Sequence, residues 1–139
     1  MAPALALGAC TQPPQKLILG KWTIMSHVEP TVSAMSPDVA DGWRGSHAIL
    51  TAERATMLNN VCDTPGYFSW TVDRRRFEID YRIPPAQLGI TDDEVRIVRI
   101  DCKGSWRVPG SEIIVVSANR FVIPWNGVFF LFQRDASWP

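Results

Sequence analysis

Apolar residues recur along this chain in short runs separated by turns, and the runs carry the period of a sheet. In residues 76–83, Phe77, Ile79, Tyr81 and Ile83 alternate with Arg76, Glu78, Asp80 and Arg82, the two-residue repeat of a strand with one wet face. Leu17–Val28, Ser46–Ala52, Ala55–Asn59, Tyr67–Val72, Glu94–Cys102, Ser111–Ser117, Arg120–Pro124 and Gly127–Arg134 read as further strands. The turns at Ala118-Asn119 and Trp125-Asn126-Gly127 are too short for parallel crossovers, so the last segments form an antiparallel meander. Asp73-Arg74-Arg75 reads as a solvated hairpin tip and Pro84–Gly89 as a one-turn connection. Residues 30–45 break the pattern. There Ser36-Pro37-Asp38 has the chemistry of a helix start, which predicts a short helix or flap near residues 37–44. The fold class that follows is all-β: one small antiparallel up-and-down barrel of about eight strands.

On the first strand, strict alternation sets Trp22, Ile24 and Ser26 on one face and Lys21, Thr23, Met25 and His27 on the other. Gly127–Gln133 is apolar on both faces, which requires a cover on the outside of the sheet. The segment 30–45 is the candidate cover, with a dimer contact as the other reading.

Composition narrows the function classes. The chain has 139 residues, enough for one domain, and its 14 basic and 14 acidic residues cancel. No general field draws it to nucleic acid or to an anionic membrane. Its apolar runs are also shorter than the ~20 residues of a membrane-spanning helix.

Leu7-Gly8-Ala9-Cys10 resembles the bacterial lipobox, which makes Cys10 a lipidation site, residues 1–16 a signal remnant and tether, and membrane contact a matter of that lipid anchor alone. Only nine residues precede Cys10, so either translation starts upstream or the terminus is an Ala-rich tail with a free thiol. With Cys10 acylated, Cys62 and Cys102 remain as an even pair, which a disulfide or two reduced, buried thiols would satisfy.

Catalytic signals are sparse. His27 and His47 each follow a serine, and neighbours on a strand face opposite ways, which argues against a nucleophile relay. An enzyme reading would require one of these histidines to meet a carboxylate in a cleft. Metal spacing, haem attachment and phosphate loops are absent from the pattern, so no catalytic residue, metal or cofactor is assigned. Asp92-Asp93-Glu94 reads as a wet turn.

Gly20-Lys21-Trp22 at the start of the first strand and Arg134 at the end of the last resemble the lipocalin-like, or calycin, families, in which an N-terminal Gly-x-Trp packs under an arginine from the closing strand. The resemblance spans residues 17–134, leaves 135–139 as a tail, and implies a barrel closed at one end by Gly20, Trp22 and Arg134. It implies an exported binding protein, periplasmic or lipid-anchored. Its ligand would be a small apolar or amphipathic molecule, walled by Trp43, Phe68, Trp70 and Tyr81. The second expectation is a cell-envelope interaction module, an inhibitor or assembly factor, whose barrel is filled by its own side chains.

Overall fold

The computed structural model describes residues 14–30, 33–104 and 106–136. The chain runs α1 (Pro14–Ile18), β1 (Gly20–Val28), α2 (Pro37–Asp41), β2 (His47–Leu50), β3 (Arg54–Met57), β4 (Asn60–Asp63), β5 (Gly66–Asp73), α3 (Arg74–Tyr81), a 3-10 turn (Pro85–Leu88), β6 (Glu94–Asp101), β7 (Glu112–Ser117), β8 (Arg120–Trp125) and β9 (Val128–Arg134). The nine strands form one antiparallel sheet in the order β4-β3-β2-β1-β9-β8-β7-β6-β5, curled into a half barrel.

Two meanders meet in the middle of this sheet, where β1 pairs with β9 and Trp22 lies directly opposite Arg134. The unpaired edges are β4 and β5, which follow one another in sequence. Among the described residues two links join these ends of the sheet: the Cys62–Cys102 disulfide, from β4 to the residue after β6, with Cα atoms 5.8 Å apart, and the Tyr67 hydroxyl of β5, which donates to the Thr51 carbonyl in the β2–β3 turn at 2.7 Å.

Each face of the sheet has its own core. On the concave side Leu50, Ala55 and Met57 from one meander meet Val98, Ile100 and Ile113 from the other, around Trp22, Phe121, Phe130 and Phe132. On the convex side Val95, Ile97, Ile114, Val122 and Phe129 pack under Phe77 of α3, Ile83 and Leu88.

The cover over Phe129 is therefore α3 and the 3-10 turn, not residues 30–45, and residues 76–83 are mostly helix where alternation predicts a strand. Asp73 is the reason for the helix. Its carboxylate accepts from the Arg76 backbone N–H at 2.7 Å and caps the first turn, so the expected hairpin tip is a helix start. Four-residue spacing then stacks Phe77 on Tyr81, 4.6 Å between ring centres, and pairs Arg76 with Asp80. Ile79 is left 59% exposed.

Three smaller differences follow from local geometry. Leu17 and Ile18 belong to α1 rather than β1; the indole N–H of Trp22 donates to the Ile18 carbonyl and fixes that turn under the sheet. Asn60–Asp63 forms an additional strand, paired with β3. A β-bulge between Ile24 and Ser26 shifts the alternation of β1, so His27 lies opposite Phe130 on the concave side.

Candidate functional site

The Arg134 guanidinium lies over the Trp22 ring at 4.2 Å, a cation–π contact. Its N–H groups donate to the carbonyls of Leu17, Leu19 and Ala118, so it ties α1, β1 and the β7–β8 turn together. Burial holds its pKa below the usual arginine value. Gly20, at φ 136°, adopts a backbone that side chains disfavour at the start of β1.

The four residues expected to wall a pocket do not converge. Trp43, on the flap after α2, stacks on Phe130 at 4.6 Å and caps the concave core. Phe68 and Trp70 share one side of edge strand β5, 51% and 39% exposed. Their neighbour Tyr67 points the other way, into the concave core, so this side of β5 is the outer one. Tyr81 sits on α3 over the convex face and donates to Glu112, whose carboxyl is raised in pKa by burial and then by Asp80.

The concave space is filled. Trp22, Ile24, Leu50, Met57, Phe121, Phe130 and Phe132 are each no more than 1% exposed, and a methyl group placed on Gly110 would collide with the Met57 side chain. Hollows of about 540 Å³, beside Leu17, Thr71, Arg96 and Ser117, and about 490 Å³, between Gly20, Leu50, Glu53 and Arg134, open to solvent at the rim of this core, to which Leu17 and Leu50 also belong.

The mouth of the half barrel carries an arrangement that alternation hid. Because the bulge turns His27 inward, its ring lies between two carboxylates: Nε2 is 2.6 Å from Asp41 Oδ1, and Nδ1 is 2.5 Å from Glu29 Oε1, close but out of line for a hydrogen bond. The Asp41 hydrogen bond and the Glu29 charge raise the His27 pKa above 6.5 against the opposing pull of burial, and Asp41 is held below 3.8 by the same bond. The capping of α2 was legible: the Ser36 side chain accepts from the Val39 N–H, with Pro37 in the first turn. The carboxylate partner that α2 brings to His27 was not, since 14 residues separate them.

His47 lies elsewhere. Thr23 donates its hydroxyl hydrogen to Asp135 at 2.8 Å, so its oxygen accepts from His47 Nδ1 at 3.0 Å. Both nitrogens of His27 face carboxylates, and the Nε2 one is hydrogen-bonded.

Cys62 and Cys102 form the disulfide, and Cys62 is buried. Cys10 and its lipobox lie outside the described residues, as does Trp138. Among the described residues no cluster of three metal-ligating side chains occurs, and no helix is long and apolar enough to cross a membrane. No protein-family model, curated protein or solved structure matches this chain.

Proposed function

We propose that the protein is an exported, non-enzymatic, lipocalin-like barrel that acts as an interaction module of the bacterial cell envelope, tethered through Cys10, and recognises an extended segment of a partner protein along β5. The filled concave core carries this reading. A carrier needs interior volume for its ligand, and here large apolar side chains occupy that volume.

Strand β5 is the surface best suited to a partner. It is an eight-residue edge without proline, and its single charge is Asp73 at the end, whereas exposed edges are ordinarily guarded by charges or proline. An added strand gains main-chain hydrogen bonds, and Phe68 and Trp70 on alternate positions supply side-chain selectivity. Arg99, with its guanidinium 5.9 Å from the Phe68 ring centre, adds a cation beside them. The disulfide supports export, because such bonds persist in oxidising compartments.

Titration with fatty acids, haem and hydrophobic dyes, read by tryptophan fluorescence, is expected to give no saturable change; a saturable, competable signal would restore the carrier reading. A photo-crosslinker at Phe68 in the native envelope is expected to yield one discrete adduct. Purified wild-type protein should compete for it, and the Phe68→Ser/Trp70→Ser variant should not. Equal competition by both would remove β5 from the interface.

A further inference from the structure

The geometry points to a proton-dependent latch at the mouth of the half barrel: the His27 imidazolium grips Asp41 of α2 and Glu29 beyond β1, holds the flap with Trp43 against Phe130, and loosens its hold when the ring loses its charge. This inference does not rest on the interaction reading above.

Ring stoichiometry carries the argument. A neutral imidazole has hydrogen on one nitrogen only, so one of the two carboxylates would then face a lone pair at 2.5–2.6 Å. Nδ1 and Glu29 Oε1 are buried and neither has a hydrogen-bond partner, so the attraction between them is that of opposite charges. The cation is held by both carboxylates at once; a neutral ring with its hydrogen on Nε2 keeps the Asp41 bond alone and turns a lone pair on Glu29. The charged groups facing the ring are Glu29, from the chain after β1, and Asp41, from α2; Arg44 stands behind Asp41 at 3.9 Å, and β9 presents only the Phe130 ring, 6.2 Å away.

The flap's ends are pinned by main-chain bonds that do not titrate, from Ala34 N–H to the Asn126 carbonyl and from Gly45 N–H to the Ile24 carbonyl, both 3.0 Å. Between these pins α2 and Trp43 are held by the His27 contacts, by the stack on Phe130 and by Met35 and Ala40, buried in the concave core.

The direction with pH follows from the two shifts. His27 is raised above 6.5, so the latch is complete below pH 6.5 and is lost as pH rises through the raised value. Asp41 is lowered below 3.8, so on the acid side the latch persists to about pH 4 and fails as pH falls through the depressed value. The flap is thus closed in mild acid and loosens in base.

Nuclear magnetic resonance of the full chain tests this directly. At pH 6 both ring nitrogens of His27 are expected to be protonated, with titration above 6.5. Amide exchange across Val39–Trp43, corrected for the intrinsic base-catalysed rate, is expected to rise about tenfold through that titration. Asp41→Asn should lower the His27 titration and flatten the pH step in flap exchange. A His27 titrating at or below 6.5, or flap exchange that ignores its titration, overturns the latch. The wild-type measurement decides alone if Asp41→Asn fails to fold.

Discussion

Reduction of the Cys62–Cys102 bond is expected to lower stability by about 4 kcal/mol, the loop-closure entropy of a segment of its size. The bond joins residues 40 apart. It also joins β4 to the residue after β6 across the gap between the two ends of the sheet, so its loss acts on that seam rather than within a hydrogen-bonded ladder. Without it, the Tyr67–Thr51 bond remains across the seam, and burial pushes the Tyr67 phenol up to about 12, with a smaller push from Glu53, so that donor keeps its proton beyond the usual tyrosine range. Guanidinium unfolding with and without reductant, set beside Cys62→Ser/Cys102→Ser, gives the value. A loss under about 1 kcal/mol would show that the seam is held by packing across the concave core.

Phe77→Ala is expected to destabilise by about 3–5 kcal/mol, the usual range for removing a buried phenylalanine, and Ile79→Ala by less than about 0.5 kcal/mol. Phe77 is fully buried against Ile97, Ile114 and Phe129, whereas Ile79 stands in solvent. The contrast is the signature of a helix: on a strand the two side chains would share a face and lose alike. Thermal or denaturant unfolding of the two variants measures it. Alanine favours helix, so the effect reports lost cover over the convex core and not a melted α3.

Much of the architecture was readable from the chain, because turn chemistry and apolar runs are local. The last four strands fell where Gly, Pro and Asn punctuate the runs, and the Trp22–Arg134 pairing was written in the two ends of one segment each. Residues 76–83 misled because alternation fits a strand equally well; the deciding signal was the cap, with Asp73 three residues before Arg76, and the four-residue step from Phe77 to Tyr81. The site was harder to read. A bulge moves every later side chain to the other face, and nothing in Ile24-Met25-Ser26 announces it, so His27 was set on the wrong side. The aromatic residues 43, 68, 70 and 81 were grouped by type, although convergence in space depends on the curl of the whole sheet.

The place where the sheet is broken has a consequence for how the chain can be rewired. The first and last strands lie side by side in the middle of the sheet, with the Asp135 N–H donating to the Lys21 carbonyl at 2.8 Å, while the ladder is interrupted between Asp63 and Gly66. A circular permutant opened at Thr64-Pro65, with a linker from the end of β9 to α1, would keep every strand pairing, and its two halves would be stapled by sulfur. The covalent order of this polypeptide and the hydrogen-bonded order of its strands are cut at different points, and the molecule stays whole because neither cut coincides with the other.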